Sequence, residues 1–472
     1  MKKYIYLFAI VVIFHSCSKA VEGINENPNS ITQSSYGNIL TGAEVGNVVL
    51  QTGESARRAA IFAGQYTGID RQHLGFSQYN VTTSDFDGLW YDGYVNAFRN
   101  ALVAQQGILD ENVGLVSQGI TQVLQAHIIG TMASLYGDIP FEEAGIIENT
   151  NPVFEDQEQI YAKIQSLLTE GIANFQSNAG RPTGGSEIYF DGNPIKWAQA
   201  ANTLKARFYL HTKNYNQAYE AALNGISSLD NSMYAPHGTA AENSNLNYQF
   251  FEVQVRQADL IVSDFMVSLL APGASNPIPA NYRGNSKTDE TARYNFYFKN
   301  TGIGVQPNTV NGFAEQSAPA SLVTYEENLL ILAEAGLRSR DFQTGLEQLN
   351  NFRTFMSSGG YLRNIDASQL KYEPYTEADF ETGGIENSDG ISKENALLRE
   401  ILQERYVTLF GQIEPFNDVR RTLNQNIVRV PVTPNVGNNL PQRFLYPQTE
   451  IDRNDNLTTP IPDFFEPTDI NL

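Results

Sequence analysis

The chain has 472 residues, of which 41% are hydrophobic and 18% charged, a composition typical of a globular protein with a large core. Its 31 basic and 52 acidic residues give a formal net charge of −21, and no basic stripe interrupts that charge, so nucleic acid is excluded as a partner. The single cysteine, Cys17, excludes disulfide frameworks, CxxC zinc sites and thiol redox pairs.

The N-terminus carries the pattern of a secretion signal. Lys2 and Lys3 precede an apolar run over residues 4–14, which is too short to span a bilayer but suits the core of a signal peptide. His15, Ser16 and Cys17 follow the run at once, and this pattern resembles a bacterial lipoprotein signal, in which the cysteine becomes the lipidated N-terminus. We therefore predict lipidation of Cys17, with plain secretion and a spare thiol as the alternative.

Helical patterns dominate the chain after the polar segment that follows Cys17 (residues 17–35). Trp90, Tyr94 and Phe98 recur every four residues, and a longer apolar stripe runs from residue 113 to 135. His127 falls on the longer stripe, which predicts a hydrogen-bonded core histidine rather than a ligand or a base. Trp90 and Trp197 both begin stripes, so we predict core packing for the only two tryptophans.

Two stretches, residues 204–226 and 329–353, share an internal pattern. In each, a small residue is followed by an aromatic residue after a polar turn and then by another small residue, as in Ala206, Tyr215 and Ala218. This spacing resembles the tetratricopeptide helix–turn–helix. We predict a mostly α fold, a tetratricopeptide-like helical scaffold with long irregular loops and few short strands. The two copies lie far apart in the sequence, so we do not expect a continuous solenoid.

The composition changes near the C-terminus, where prolines and aromatic residues replace the helical pattern. Such a segment cannot be a long helix and is predicted to lie extended over the scaffold. Stretches rich in Gly, Asn and Ser elsewhere in the chain are predicted to be long loops inserted between the helices. The predicted divisions are a signal peptide (1–16), a lipidated tether (17–35) and one domain (36–472) with insertions around 230–318 and 357–392 and a Pro-rich extended segment (428–472).

The sequence carries no catalytic signature. There is no GxSxG elbow, P-loop, HExxH or GxGxxG after a strand, and the histidines are isolated. Residues 452–456 have spacing similar to a calcium loop, but the glycine and the distal glutamate that such a loop needs are missing. We therefore predict no catalytic residues, no metal site and no cofactor.

Several stretches, taken in order, resemble one family. They are Ile24–Asn29 after Cys17, Tyr136–Phe141, Lys196–Arg207, Thr324–Ala335, Glu404–Arg421 and Arg443–Asn454. Together they resemble the SusD/RagB family of outer-membrane nutrient-binding lipoproteins of Bacteroidetes-type bacteria, over essentially the whole mature chain.

The resemblance implies a non-catalytic protein that is lipid-anchored in the outer membrane and faces the cell exterior. It implies binding of an oligomeric nutrient, a glycan or alternatively a peptide, and its delivery to a SusC-type TonB-dependent outer-membrane barrel. Two other functions stay open at this point. They are a surface glycoside hydrolase and a periplasmic solute-binding protein, although the latter needs repeated βαβ units that the sequence does not show.

Residues 65–80 are the first candidate ligand region. They lack helical or strand periodicity, which predicts an exposed loop, and they are rich in hydrogen-bonding groups. In starch-binding relatives the corresponding loop contributes acidic and arginine contacts, which here implies Asp70 and Arg71; an ordinary surface ion pair is the alternative. The other candidates in this loop are Tyr66, His73 and Tyr79.

Residues 293–297 are the second candidate region, with Tyr294 and Tyr297 as ligand contacts and a half-buried strand as the alternative. Because tryptophan is scarce, tyrosine stacking or a ligand other than starch is favoured. Arg420 and Arg421 are predicted to brace the scaffold through nearby acids, such as Glu414 and Asp418.

Overall fold

The computed structural model describes residues 34–146, 148–271, 279–425 and 428–472, and helices account for most of its ordered backbone. The signal peptide, Cys17 and nearly all of the tether lie outside the described residues. The α-helices are α1 (Tyr36–Thr52), α2 (Glu54–Phe62), α3 (Arg71–Ser77), α4 (Asp87–Tyr91), α5 (Arg99–Asp110), α6 (Leu115–Tyr136), α7 (Gln157–Phe175), α8 (Pro194–His211), α9 (Tyr215–Ala222), α10 (Leu246–Tyr248), α11 (Asp264–Leu270), α12 (Thr291–Tyr297), α13 (Tyr325–Ser339), α14 (Phe342–Ser357), α15 (Lys393–Thr408), α16 (Glu414–Thr422) and α17 (Gln448–Arg453).

Strands are few and short, and they form two-stranded antiparallel pairs. Within the described ranges no parallel sheet occurs, so the βαβ units of a two-lobed solute-binding protein are not found there. The pairs are β1 (Tyr66–Gly68) with β5 (Leu260–Val262), β2 (Ile139–Pro140) with β3 (Phe154–Glu155), β4 (Met233–Ala235) with β9 (Ala320–Val323), β6 (Thr288–Asp289) with β10 (Lys371–Tyr372), and β7 (Phe298–Asn300) with β8 (Val305–Pro307).

The two predicted hairpins are α8–α9 and α13–α14, which confirms the tetratricopeptide-like scaffold. In space, however, α9 packs directly against α13, and α7 and α15 extend the row of helices on either side. Small side chains such as Ala218 and Ala335 form a separate apolar cluster at the junction between the hairpins. The two hairpins are separated by a long insertion in the sequence, as expected, but they lie side by side in space.

Helix α6 is the centre of the core. Its residues from Gly119 to Tyr136 are buried on every face, not only along the predicted stripe. At Gly130 an added Cβ would lie 2.3 Å from Cζ of Phe208 in α8, so glycine lets these helices approach closely. His127 is buried, with Arg207 Nη1 at 3.3 Å from its Nε2, and burial lowers its pKa well below the usual value. The predicted core histidine is confirmed.

Buried arginines join the helices. Arg421 of α16 binds both carboxylate oxygens of Glu334 at 2.6 Å and Asp418 at 2.7 Å, as predicted for a bracing residue. Arg420 braces differently, because it donates to the backbone carbonyls of Gln442 and Ser134 and not to an acid. These bonds tie α6, α13 and α16 together.

The C-terminal segment lies over this scaffold as irregular chain, apart from α17 and a 3₁₀ turn at Asp469–Asn471. Phe444, Tyr446 and Phe464 are buried. The ring centroids of Phe444 and Phe464 lie 5.9 and 5.1 Å from that of Phe62 in α2, so aromatic packing holds the segment in place. No helix in the described parts of the chain is long and apolar enough to cross a membrane.

Candidate functional site

The first candidate region is not the exposed loop that the sequence predicted. Strand β1 and helix α3 occupy most of it, and Tyr66 and His73 are each only 1% exposed. Tyr66 packs against Phe410 with ring centroids 5.1 Å apart, and His73 packs against Phe250 at 5.1 Å. The lack of periodicity in residues 65–80 did not indicate a loop, because a three-residue strand and a seven-residue helix are too short to show a period. Tyr66 and His73 are therefore core residues in this conformation.

Asp70 and Arg71 do lie at the surface, with side chains 58% and 55% exposed. Arg71 Nε is 3.8 Å from Asp70, and its Nη1 is 3.5 Å from the buried carboxylate of Asp259. Arg71 has a φ of 49°, a left-handed conformation that non-glycine residues rarely adopt and that is often found at functional sites. Both residues stay candidates for ligand contact.

Tyr79 points elsewhere. Its hydroxyl accepts a hydrogen bond of 3.0 Å from the backbone N–H of Asn435, and its ring contacts Phe464 and Phe465. Burial raises its pKa above the usual value. Tyr79 thus holds the C-terminal segment, and it is half-buried.

The second candidate region lies in helix α12, so the half-buried strand, which was the alternative reading of these residues, is wrong. Tyr297 is 2% exposed, with its hydroxyl 2.9 Å from the Thr408 carbonyl oxygen and 3.0 Å from the Tyr361 hydroxyl. Tyr294 is half-buried, and its hydroxyl donates to Asn300 at 3.3 Å.

The structure brings one residue of each candidate region together. Tyr66 and Tyr297 both pack against Phe410, with ring centroids 5.1 and 5.2 Å from its own. Asp70 and Arg71 instead belong to the polar cluster around Asp259. The predicted residues therefore do not form one continuous site.

An open cleft that the sequence did not single out has the shape and lining of a binding site. It has a volume of about 590 Å³, within the range of ligand pockets. We call it the Tyr91 cleft. Its walls come from three separate parts of the chain: residues 87–95, residues 140–145 with 149–152, and residues 449–453.

Three aromatic residues line one wall of the cleft. Trp90 is 6% exposed and donates from Nε1 to Glu450 at 3.1 Å, so its predicted core position is confirmed. Tyr94 donates its hydroxyl to the Pro140 carbonyl at 2.6 Å. Tyr91 is 54% exposed and presents its ring to solvent. Trp90 and Tyr94 thus build a fixed wall, and Tyr91 is free to stack on a ligand.

Polar groups surround this aromatic wall. Asp87 accepts bonds of 3.0 and 3.1 Å from the backbone and side chain of Thr449, which fixes the two walls relative to each other. Asn149 lies on the opposite wall and is held by Glu143 at 3.0 Å. Arg453 is exposed at the rim, and among the described residues it has no hydrogen-bond or ion-pair partner. Its guanidinium donors are available to a ligand.

A π-helical stretch, Asp92–Phe98, continues directly from α4 and carries Tyr94. Such wide turns are rare and occur often at functional sites. Gly93 within it packs so closely on α6 that an added Cβ would lie 2.3 Å from Sδ of Met132. The stretch is thereby fixed against the core, and the aromatic wall with it.

The sequence did contain a signal for Tyr91. It directly follows Trp90 of the four-residue stripe, so it must point away from the buried face of the helix. The opposite walls of the cleft could not be found in this way, because they lie far away in the sequence. Among the described residues no cluster of metal-ligating side chains occurs, either here or around residues 452–456.

The fold and the cleft define a helical, tetratricopeptide-like protein with an open, aromatic-lined cleft. A family model described as "Starch-binding associating with outer membrane" matches residues 28–447. That match spans most of the chain, so the chain belongs to this SusD-like family. No curated protein matches it.

Solved structures agree on the fold. A SusD/RagB family protein from Bacteroides thetaiotaomicron has a TM-score of 0.68 at 19% identity, over 93% of this chain and 99% of the other. A SusD homolog from Parabacteroides distasonis has a TM-score of 0.70 at 15% identity, over 92% and 98%. A chitin-binding SusD homolog from Flavobacterium johnsoniae has a TM-score of 0.62 at 16% identity, over 93% and 97%. The predicted family and fold class are confirmed.

Proposed function

We propose that the chain binds an oligosaccharide in the Tyr91 cleft without catalysing a reaction. The observation that carries this proposal is the exposed ring of Tyr91 beside a fixed aromatic wall and unpaired hydrogen-bond donors. Neutral sugars bind by packing their C–H faces on aromatic rings and by hydrogen bonds from their hydroxyls to polar side chains. The open shape of the cleft allows a chain to pass through it, and a peptide is the alternative ligand.

The test is calorimetric titration with starch-type and chitin-type oligosaccharides. Tyr91→Ala removes the stacking ring and should weaken binding by about 1–2 kcal/mol, or roughly five- to thirtyfold. Tyr91→Phe is the matched control, because it keeps the ring and should retain most of the affinity. Affinity unchanged in Tyr91→Ala would overturn this location of the site, and sustained release of reducing ends by the wild type would favour the hydrolase.

We further propose that Cys17 is lipidated, that it anchors the protein in the outer membrane facing the exterior, and that ligand passes to a SusC-type TonB-dependent barrel. The support is the apolar run that ends at Cys17, together with the family's association with the outer membrane. Cys17→Ala should move the protein from the membrane pellet to the soluble fraction. Retention in the pellet after a carbonate wash would contradict lipid anchoring, and co-purification of the barrel with the wild-type protein tests the partnership.

A further inference from the structure

A second cleft lies between the end of α16 and the Pro-rich C-terminal segment. We call it the Arg429 cleft, and its volume is about 450 Å³, within the range of ligand pockets. Its lining residues fall within 423–424, 429–442 and 465–467. Among the described residues that line it, Arg429 is the only charged one, whereas the Tyr91 cleft is lined by two carboxylates as well as an arginine.

Several polar side chains in this cleft lack a partner. Arg429 is exposed and has neither a hydrogen bond nor an ion pair in the described parts of the chain. The side-chain amides of Asn438 and Asn439 are likewise exposed and unpaired there. Gln442 is only 6% exposed; its Nε2 donates to the Leu440 carbonyl at 3.2 Å, and its Oε1 accepts no hydrogen bond from any described residue. The cleft therefore offers a guanidinium and several amides to a ligand.

One aromatic ring adds an apolar surface to the cleft. Phe465 is 37% exposed, and its ring centroid lies 6.0 Å from that of Tyr79 and 5.3 Å from that of Phe464. Tyr79 also accepts the 3.0 Å hydrogen bond from Asn435. The same tyrosine thus holds both the ring and the loop that carries the free amides.

Two buried arginines lie behind the lining of the cleft. Arg420 donates to the Gln442 carbonyl oxygen at 2.9 Å, and Arg443 donates to the Pro467 carbonyl oxygen at 2.9 Å. Their other hydrogen bonds also go to uncharged groups, and no carboxylate of a described residue forms an ion pair with either. Burial lowers the pKa of Arg420 to about 9, and the charge of Arg443 adds to this effect. A buried charge without a counter-charge is costly, so an anion bound in front of these arginines is stabilised by them.

The acidic residues nearest to Phe465 in the sequence do not oppose this charge within the cleft. Asp463 and Glu466 are exposed and do not line it. Glu466 Oε2 accepts from the backbone N–H of Asp463 at 3.2 Å, and Asp463 Oδ1 accepts from that of Phe465 at 3.0 Å, so both carboxylates are used within their own turn. On a chain with a net charge of −21, this cleft is a local site of positive potential.

We propose that the Arg429 cleft binds a uronic acid residue of an acidic oligosaccharide. The planar guanidinium of Arg429 binds the sugar carboxylate through two parallel hydrogen bonds. A C–H face of the sugar packs on Phe465, and the ring hydroxyls bond to the amides, which can both donate and accept. The proposal goes beyond the binding of neutral sugars in the Tyr91 cleft, because it names a different ligand charge and a separate site.

The first test asks whether the carboxylate is recognised. Calorimetric titration with tetramers of galacturonic, glucuronic and mannuronic acid should detect binding of at least one of them. The methyl ester of the bound tetramer keeps the sugar rings but loses the charge, and it should bind at least tenfold more weakly. Binding of the acidic tetramer should be unchanged in Tyr91→Ala, so that a failure of the Tyr91 cleft and a failure of the Arg429 cleft are distinguishable.

The second test locates the site. Arg429→Gln should weaken binding of the acidic tetramer about ten- to a hundredfold. Its melting temperature should not change, because Arg429 is exposed and unpaired in the described structure. Arg181→Gln is the matched control: Arg181 is exposed beside the N-terminal end of α6, whereas Arg420 bonds near the other end of that helix at Ser134. This control removes the same charge far from the cleft and should retain the affinity.

The proposal is overturned if none of the acidic tetramers binds, or if the methyl ester binds as tightly as the acid. It is also overturned if Arg429→Gln keeps the wild-type affinity, or if Arg181→Gln weakens binding as much, because net charge alone would then explain the result. Tighter binding of a tripeptide through its C-terminal carboxylate than of every uronate would assign the cleft to peptides and overturn the sugar assignment.

Discussion

Glu334 pairs with arginines of α13, α15 and α16, and its removal gives a quantitative test of the packing described here. Its side chain is 0% exposed, and Arg421 binds its two oxygens at 2.6 Å each. Arg338 donates to it at 3.0 Å, and Arg405 lies 3.7 Å away. One carboxylate on α13 therefore neutralises buried arginines from α15 and α16.

The expected cost of Glu334→Ala follows from this geometry. Removing one partner of a buried ion pair leaves uncompensated charge in the core and costs about 3–5 kcal/mol. For a chain of this length the entropy of unfolding is roughly 1 kcal/mol per kelvin, so the melting temperature should fall by about 3–5 °C. Glu347→Ala on the neighbouring helix α14 is the matched control, because Glu347 is exposed and should leave the melting temperature nearly unchanged.

The same carboxylate predicts a pH dependence. Burial alone would raise the pKa of Glu334, but Arg421, Arg338 and Arg405 outweigh it and lower the pKa to about 2. Since the folded-state pKa lies below the unfolded value of 4.5, the ion pairs stabilise the fold above that value and lose their effect as the pH falls toward 2. The difference between wild type and Glu334→Ala should therefore shrink in acid.

Differential scanning calorimetry of the two variants at neutral pH and in acid measures both effects. A melting temperature of Glu334→Ala within about 1 °C of the wild type at neutral pH would refute the reasoning, because it would mean that the buried arginines need no carboxylate besides that of Asp418.

Two further predictions concern the surface and the core. If Asp70 and Arg71 contact the ligand, changing either to alanine should weaken binding by about 1.5–3 kcal/mol, or roughly ten- to a hundredfold. The melting temperature should not change. An affinity within twofold of the wild type in calorimetric titration would make them ordinary surface residues. Gly130→Ala should destabilise the fold by about 1–3 kcal/mol in a denaturant titration, because its Cβ would lie 2.3 Å from Phe208, whereas Gly88→Ala, with nothing within 4 Å, should have little effect. Equal midpoints for the two glycine variants would contradict the close packing of α6 on α8.

The sequence predicted well wherever the structure depends on regular spacing. The stripe through Trp90, the core positions of Trp197 and His127, and the two helical hairpins were all found, because helical periodicity shows which face of a helix is buried. The motifs that resemble the family were also informative, because many of their residues form core or bracing contacts. Arg421 is one example.

The sequence predicted poorly wherever segments are short. Residues 65–80 contain only a three-residue strand and a seven-residue helix, too little for a period to be seen, so Tyr66 and His73 were expected at the surface. The secondary structure of α12 was ambiguous for the same reason, because alternating aromatic residues in so short a segment fit a strand as well as a helix.

By itself, then, the sequence determined the fold class, the family and the pairing of neighbouring helices, because these follow from contacts between residues close together in the chain. Only the tertiary structure decided where a ligand could bind. The Tyr91 cleft needs residues 87–95 to meet residues 140–145, 149–152 and 449–453. It depends on how side chains from distant segments pack, and no local periodicity records that packing.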